Sequence, residues 1–300
     1  LVHASGPEFQ RRAAAGSPCA AGIAVLNGNG ELTGRSWIEE AGQFQTPIAI
    51  TNSHAVGAVH RGVDAWLAQH DPVTAAQWML PVVGETWDGY LNSINADTVR
   101  PEHAVAALDA AASGPVAEGN VGGGTGMNCY GFKGGTGTAS RVVRSGANEW
   151  TVGVLLQANF GSRSELRVAG HPLGPRSAAP NPMETTDWFE RDTGTAAHAT
   201  AGAGSVIVVV ATDAPLLPGQ CEALARRVPL GLARTGTTGS HFSGDIFLAF
   251  STANSGALSS RMTGGDIAVE RLEHVAWGSI DPFFAAVVQA TEEAVLNALV

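Results

Sequence analysis

A run of β-branched, uncharged residues occupies positions 206–210, directly after a segment rich in glycine, proline and threonine. Such a run is typical of a strand buried on both faces, because a half-exposed strand would alternate apolar with polar residues. The run opens with Ser205, and Gly204 precedes it. The pattern therefore predicts a central strand that has a serine at its entrance.

Shorter apolar runs predict further strands along the chain. The Asn-Gly-Asn-Gly sequence at 27–30 is expected to join the first two strands as a hairpin, because Asn-Gly steps favour the required turn. Residues 145–148 are expected to form a turn between two later strands. The predicted strands cover residues 19–26, 35–40, 47–51, a short segment from 82, 138–144, 149–158 and 244–251.

Apolar residues spaced three and four apart predict helices between these strands. They are expected over residues 54–70, 101–113 and 218–232, and in a final segment with Asp281 as N-cap and Pro282 as first residue. The apolar positions used for these helices are Val56, Val59, Val63, Trp66 and Leu67, then Leu224, Val228 and Leu232, then Phe284, Val287, Val288, Thr291, Val295 and Leu299. Strands alternating with helices indicate the α/β class.

Two segments have no such periodicity. Residues 119–137 are rich in glycine, but Lys133 is followed by Gly134, so the phosphate-binding pattern Gly-x-x-x-x-Gly-Lys-Ser/Thr is not met. A backbone that closely approaches a substrate cleft explains these glycines better. Residues 171–203 contain proline, alanine, threonine and glycine, and they predict a flexible linker.

The composition and net charge argue against some classes of binding partner. The 300 residues have a net charge of −10, which argues against nucleic acid or an anionic membrane as partner. No apolar run reaches the roughly 20 residues of a membrane span. The three cysteines lie far apart without Cys-x-x-Cys spacing, so neither a disulfide framework nor a metal site is implied.

The Gly204–Ser205 junction suits a peptide bond that is broken by its own serine. The hydroxyl of Ser205 can attack the carbonyl of Gly204 in an N-to-O acyl shift, and hydrolysis of the ester leaves Ser205 as a new N-terminus. Its α-amino group, with a pKa near ~8, is then a base for the adjacent hydroxyl. The alternative is a serine that merely caps a strand.

Six blocks of sequence follow one another at residues 25–34, 46–54, 119–127, 131–141, 204–216 and 243–254. In this order they resemble the self-processing serine β-aminopeptidase and L-aminopeptidase D-esterase family. The resemblance covers nearly the whole chain and fails mainly between residues 171 and 203.

The resemblance implies a four-layer α/β/β/α sandwich, in which two stacked sheets lie between helical layers as in ornithine acetyltransferase. It implies one catalytic domain that self-cleavage divides into a large subunit, 1–204, and a small subunit, 205–300. It also implies homo-oligomers of these processed heterodimers, with no cofactor or metal. Because the family has an additional opening strand and closing tail, we expect that the chain lacks a segment at each end. We expect a cytoplasmic protein.

Several side chains are candidates on their own chemistry, each with an alternative. Glu85 suits either a substrate ammonium group or a capping role, and His54 suits either a base or a local hydrogen bond. Asn159, at a strand end, suits an oxyanion donor or a turn. Ser243 and Asp245 share one face of an extended chain, where they form either a proton-relaying pair or a turn.

The resemblance assigns roles to most of these candidates. It implies Ser205 as nucleophile, Asn159 as oxyanion donor and Glu85 as the partner of the substrate amino group; it does not make His54 the base. In the family, a serine and a glutamate occupy positions 243 and 245. Asp245 is one methylene shorter, which is expected to lengthen its contact with Ser243 and weaken the relay. A tyrosine is frequent at the position of Trp87, and indole has no hydroxyl, which leaves a role of Trp87 at the oxyanion in doubt.

The sequence therefore predicts a self-cleaving serine aminopeptidase that forms an acyl-enzyme on Ser205. Its substrates are expected to be short peptides, amino-acid amides or esters, including those of D- or β-amino acids. One alternative is an acyltransferase of the ornithine acetyltransferase kind, against which Ser205 counts because that family uses threonine. A second alternative is an uncleaved, noncatalytic protein that binds small molecules.

Overall fold

The computed structural model describes residues 18–77, 80–194, 204–254, 256–260, 262 and 265–299. Its strands are β1 (Cys19–Gly28), β2 (Gln43–Phe44), β3 (Ile48–Asn52), β4 (Val82–Thr86), β5 (Asn128–Cys129), β6 (Phe132–Lys133), β7 (Gly135–Ser145), β8 (Asn148–Asn159), β9 (Arg167–Val168), β10 (His171–Pro172), β11 (Gly204–Thr212) and β12 (Ser243–Ser251). Its helices are α1 (Arg35–Ala41), α2 (Val56–His70), α3 (Pro72–Ala76), α4 (Pro101–Asp109), α5 (Pro182–Thr185), α6 (Trp188–Thr193), α7 (Pro218–Ala225), α8 (Val228–Arg234) and α9 (Asp281–Asn297).

Strand β11 lies inside a six-stranded sheet with the order β2-β1-β12-β11-β8-β7. It pairs in parallel with β12 and antiparallel with β8. The side chains of Val206, Val208 and Val210 pack with the helices on one face of this sheet, while Ile207 packs on the other face. The prediction of a strand buried on both faces is confirmed.

Separate apolar clusters lie on the two faces of the large sheet. The helices α7, α8 and α9 cover one face, with Leu224, Val287 and Val295 in that cluster. The parallel pair β3 and β4 lies over part of the other face, and the far side of this pair packs on α2 and α4. The predicted α/β class is confirmed. The exact four-layer arrangement stays a prediction, because β3 and β4 are the only strands of a second sheet that the described residues provide there.

The predicted hairpin at the start of the chain is wrong. Residues 35–40 belong to helix α1, and β1 pairs with β12 and with the short β2 instead. Gly34 and Gly42 flank this helix with φ of 75° and 67°, the left-handed conformation that glycine adopts without strain. Only Ile38 of the helix is buried, so its apolar signal is too weak to show a helical period.

The helix predictions hold with corrections at their ends. Residues 218–232 form two helices rather than one, α7 and α8, and Pro229 lies in the first turn of α8. Proline lacks the N–H that a continuous helix would need there. Helix α4 ends at Asp109, before the predicted 113. In α9 the residue buried near the start is Phe283 rather than Phe284.

The glycine-rich segment allows close packing of backbone on backbone. A Cβ at Gly137 of β7 would lie 1.9 Å from the carbonyl oxygen of Ala294 in α9. Glycine is therefore required where β7 meets this helix. This close approach of two backbones, rather than the binding of a phosphate group, explains the glycine at that end of the segment.

The segment predicted as a linker has regular structure in its first part. It begins with β10 and continues into α5 and then α6, and α6 ends at Thr193. The guanidinium of Arg163 donates hydrogen bonds to the carbonyl oxygens of Ala179 and Pro180, which attaches this part to the body of the protein. The expectation of no periodic structure is wrong here. Residues 195–203 lie outside the described residues, and the mobility of the linker stays a prediction.

Candidate functional site

Ser205 is the second residue of β11, at the edge of the large sheet where β11 and β12 begin and β8 ends. It stands opposite Asn159 of β8 on one side and Gly244 of β12 on the other, and Gly204 stands opposite Ser243. The serine is only 1% exposed. The sheet register therefore brings together candidates that lie far apart in the sequence.

The Oγ atom of Ser205 accepts a hydrogen bond from the backbone N–H of Trp87 at 3.0 Å. Trp87 directly follows β4, so the end of this strand delivers the donor. This N–H therefore lies beside the carbonyl that the Oγ would attack, where a backbone donor can stabilise the oxyanion that forms on the carbonyl oxygen. The sequence indicated only the indole of Trp87, because a backbone donor has no residue type that marks it.

Asn159 is fixed by two hydrogen bonds. Its Oδ1 accepts from the backbone N–H of Asn128 at 2.8 Å, and its Nδ2 donates to the carbonyl oxygen of Trp87 at 2.6 Å. These partners determine which atom of the amide is oxygen. An amide nitrogen has two N–H bonds, so the contact with Trp87 leaves a second N–H for another acceptor.

The position of Gly204 admits no side chain. A Cβ there would lie 1.8 Å from the carbonyl oxygen of Asn159. Real Cβ atoms do not approach backbone so closely, so the residue before Ser205 must be glycine for β11 to pair with β8 in this register.

Ser243 and Asp245 form the pair that their spacing allows. The Ser243 hydroxyl donates to Oδ1 of Asp245 at 2.5 Å, so the shorter aspartate does not lengthen the contact. The other carboxylate oxygen accepts from Nδ2 of Asn27 at 2.9 Å. Burial raises the pKa of Asp245, and the hydrogen bonds from Ser243 and Asn27 act in the opposite direction. Asn27 was expected to form a turn, and its contact with Asp245 was missed.

Glu85 lies at the same end of the sheet and is 5% exposed. It accepts hydrogen bonds from the Ser53 hydroxyl and from the backbone N–H of Glu31, the latter at 3.0 Å. Burial raises its pKa, and the bond from Ser53 partly opposes that shift. A Cβ at Gly30 would lie 3.1 Å from Oε1 of Glu85 and 3.0 Å from the Cα of Gly244, which pairs with Ser205. Glu85 is therefore close to Gly244, the residue that pairs with Ser205 in the sheet.

Two other candidates are placed differently. His54 is exposed, in a short 3-10 turn before α2. The indole of Trp87 lies over Gly89, where a Cβ would come within 2.4 Å of its Cζ2.

In the described parts of the chain, no three or more His, Cys, Asp and Glu side chains are grouped so that they could hold a metal ion. None of the helices described there is both long and apolar enough to cross a membrane.

The chain is similar to known proteins over nearly its whole length. A model of peptidase family S58 matches residues 9–300. The β-peptidyl aminopeptidase BapA of Sphingosinicella microcystinivorans is 51% identical over 288 residues, which are 95% of this chain and 70% of that protein. BapA of Sphingosinicella xenopeptidilytica is 45% identical over 286 residues, 94% of this chain and 68% of that protein.

Solved structures agree with these relatives. A β-aminopeptidase from Burkholderia sp. superposes with a TM-score of 0.84 at 47% identity, over 95% of this chain and 75% of that chain. The L-aminopeptidase D-Ala-esterase/amidase of Ochrobactrum anthropi, described as a variant of the Ntn hydrolase fold, gives 0.82 at 44% identity over 94% and 73%. The chain therefore belongs to peptidase family S58 and is a peptidase with a serine nucleophile.

Proposed function

We propose that the chain is a self-processing aminopeptidase whose nucleophile is Ser205. The observation that supports it most directly is the placement of the Ser205 hydroxyl against the N–H of Trp87, beside Asn159 and Ser243. These groups come from separate segments and meet at one end of the sheet. A serine that only capped a strand would not need them.

The first reaction is cleavage of the chain itself. The Ser205 oxygen attacks the carbonyl carbon of Gly204, a C–O bond forms and the C–N bond of the peptide breaks. The proton of the hydroxyl passes to the released nitrogen. Water then hydrolyses the ester, which yields a carboxyl group on Gly204 and a free hydroxyl and amino group on Ser205. Glycine at 204 lets the scissile bond lie against β8.

The second reaction is turnover of substrate on the new N-terminus. The α-amino group of Ser205 takes the proton of its own hydroxyl, as in other N-terminal nucleophile enzymes. The substrate carbonyl becomes an acyl ester on Ser205, and the released amine takes the proton. Water then hydrolyses this ester, which releases the acyl part as a free acid and restores the Ser205 hydroxyl. The N–H of Trp87 and the second N–H of Asn159 stabilise the oxyanion; each such donor contributes about 3–4 kcal/mol in hydrolases where one has been removed.

Two further groups position the reactants. The carboxylate of Glu85 binds the substrate ammonium group, which gives preference for a free N-terminus. Ser243, polarised by Asp245, orients the amino group and hydroxyl of Ser205 from the neighbouring strand. The pair thereby orients the base, which is the part that aspartate plays in a serine triad.

The relatives support short peptides and amides of amino acids, including β-amino acids, as substrates, because the similar proteins are β-peptidyl aminopeptidases and an L-aminopeptidase D-esterase. The acyltransferase alternative is not favoured by these relatives.

Homo-oligomers of the processed heterodimer and a cytoplasmic location belong to the same proposal. Buried free thiols at Cys19, Cys129 and Cys221 are compatible with a reducing compartment.

Mass spectrometry under denaturing conditions tests the proposal. We expect pieces of 204 and 96 residues, the second beginning with Ser205, and hydrolysis of amino-acid 4-nitroanilides by the cleaved protein. Ser205→Ala should remain whole and inactive, whereas Ser140→Ala, on the exposed part of β7, should be cut and active. An intact wild-type chain, or acetyl transfer from acetylornithine without amide hydrolysis, would overturn the proposal.

A further inference from the structure

A side-chain amide of β1 contacts the pair that Ser243 and Asp245 form on β12. Nδ2 of Asn27 donates to Oδ2 of Asp245 at 2.9 Å, while the Ser243 hydroxyl donates to Oδ1 of the same carboxylate. Asp245 is 3% exposed. Among the described residues, the hydrogen-bond donors that lower the pKa of Asp245 against the effect of burial are neutral: Ser243, Asn27 and the backbone N–H of Val206. Hydrogen bonds from neutral groups therefore favour the ionised carboxylate in the uncleaved chain.

A shift in strand register brings this amide to the carboxylate. Val25 of β1 stands opposite Ile246 of β12. Regular pairing would then place Leu26 opposite Asp245, but the register shifts and Asn27 takes that place. Side chains that lie directly opposite each other in antiparallel strands are close neighbours on one face. Bulges of this kind re-aim side chains and are frequent next to active sites. The shift thus gives the carboxylate a donor and leaves the apolar side chain of Leu26 48% exposed.

The amide of Asn27 is held in one orientation. Its Nδ2 donates a second hydrogen bond, to the carbonyl oxygen of Ser240 at 3.0 Å. Both hydrogens of the amide nitrogen are then used, and a rotated amide would place its oxygen against two acceptors. The same carbonyl oxygen accepts from the backbone N–H of Ser243 at 2.9 Å. Asn27 is therefore fixed by the turn that delivers Ser243 to the start of β12.

We propose that Asn27 is a positioning residue for the amino group of Ser205 and that it acts through Asp245 and Ser243. The amide keeps the carboxylate ionised and in place, so the carboxylate accepts the Ser243 hydrogen. The Ser243 oxygen is then free to accept a hydrogen bond from the amino group of Ser205. Ser243 stands opposite Gly204, the residue that is bonded to this nitrogen before cleavage. The effect on turnover rests on the proposed function, whereas the effect of Asn27 on Asp245 does not.

The effect on Asp245 is measured on the whole, uncleaved Ser205→Ala protein by carboxyl ¹³C NMR during a pH titration, with the signal assigned by its loss in Asp245→Asn. Leucine resembles asparagine in shape but has no donor. In Asn27→Leu we expect the pKa of Asp245 to rise by about one pH unit or more, because a hydrogen bond to a charged group is lost.

Asn29→Leu is the matched control for this titration. Asn29 donates to the carbonyl oxygen of Phe242 at 3.1 Å, so it also attaches β1 to the chain before β12, and Asp245 is not among its hydrogen-bond partners. The pKa of Asp245 should stay at the parent value in this control. An unchanged pKa in Asn27→Leu, or an equal rise in Asn29→Leu, would overturn the proposal.

Kinetics of the processed enzyme test the consequence for turnover. Asn27→Leu should lower kcat for amino-acid 4-nitroanilides about tenfold and change KM less than about twofold, because the lost hydrogen bond is to a charged group that orients the base and does not hold the substrate. Asn29→Leu should retain the kcat of the wild type. A rise in KM at unchanged kcat would assign Asn27 to substrate binding and overturn the proposal.

A second variant covers the case in which Asn27→Leu does not fold. Asn27→Asp keeps the shape and places a second carboxyl group against Asp245, and two such groups share a proton that replaces the amide donor. As pH is lowered from about 9 to about 6, kcat relative to the wild type should therefore rise in Asn27→Asp and fall in Asn27→Leu, in which Asp245 takes up a proton more readily.

A purely structural role of Asn27 would not give opposite pH trends in these two variants. A ratio that stays constant or falls with decreasing pH in Asn27→Asp would overturn the proposal. Absence of all hydrolysis in the wild type would instead contradict the proposed function, and it would leave the result of the NMR titration standing.

Discussion

Glu85, proposed above as the partner of the substrate ammonium group, illustrates how a buried acid can lower stability and serve binding. Its carboxylate is buried and accepts two hydrogen bonds, yet burial still raises its pKa above the ordinary value. A carboxylate offers about four lone-pair sites, so capacity remains for a substrate ammonium group. In the proposed role, the ammonium group of the substrate would offset the cost of ionising this buried acid.

Replacing this charge by a neutral isostere should weaken binding and strengthen the fold. In Glu85→Gln we expect KM for amino-acid 4-nitroanilides to rise about 10- to 100-fold, because a hydrogen bond to a charged group contributes roughly 1.5–3 kcal/mol. The matched control is Glu31→Gln, which removes a neighbouring exposed charge and should change KM little. An unchanged KM in Glu85→Gln would exclude Glu85 as the ammonium partner.

The same substitution makes a prediction about pH. A raised folded-state pKa means that the wild type keeps its full stability below the unfolded pKa of glutamate, about 4.3, and loses part of it as pH rises through the folded value. Glu85→Gln should therefore melt at a higher temperature than its parent at pH 7 and at the same temperature near pH 3. Thermal melts in the Ser205→Ala background measure this on one intact chain.

At the scale of secondary-structure elements, the strands and helices that can be predicted are those with a strong local pattern of apolar residues. The runs of β8 and β11 and the apolar stripes of α2 and α9 are buried by packing that their own sequences specify. Helix α1 buries one residue, and its ends depend on two left-handed glycines, so no local period marks it. The contact of Asn27 arises from the register of β1 on β12, and that of the Trp87 N–H arises from packing of β4 on the large sheet. Spacing along the chain reveals neither.

The junction of β8 and β11 gives a prediction at this scale. Gly204→Ala should slow or abolish self-cleavage, because its Cβ would meet the carbonyl oxygen of Asn159 at 1.8 Å and push Ser205 out of register. Gly153→Ala is the control in the same sheet, since its Cβ would meet only the carbonyl oxygen of Ala211, at 3.9 Å. Cleavage over time, followed on denaturing gels, should be normal in the control. Equal rates in both variants would show that the close approach is unimportant.

At the scale of the whole molecule, the proposed cut falls inside the large sheet. Strands β11 and β12 belong to the piece that begins at Ser205, and β1 and β8 from the other piece flank them on both sides. Helices α7, α8 and α9 of the second piece pack on strands of both. The new N-terminus therefore remains in a continuous core, opposite Asn159 and next to Trp87, which the first piece supplies.

This arrangement predicts that the two pieces stay together and unfold together. Under native conditions, the cleaved protein should elute at the same volume as uncleaved Ser205→Ala, and native mass spectrometry should show both pieces in one complex. Each piece, separated in denaturant and returned alone to buffer, should lack aminopeptidase activity, because the nucleophile and the proposed oxyanion donors lie on different pieces. Joint refolding should restore activity. Activity of the 96-residue piece alone would mean that Asn159 and the N–H of Trp87 do not take part in the reaction.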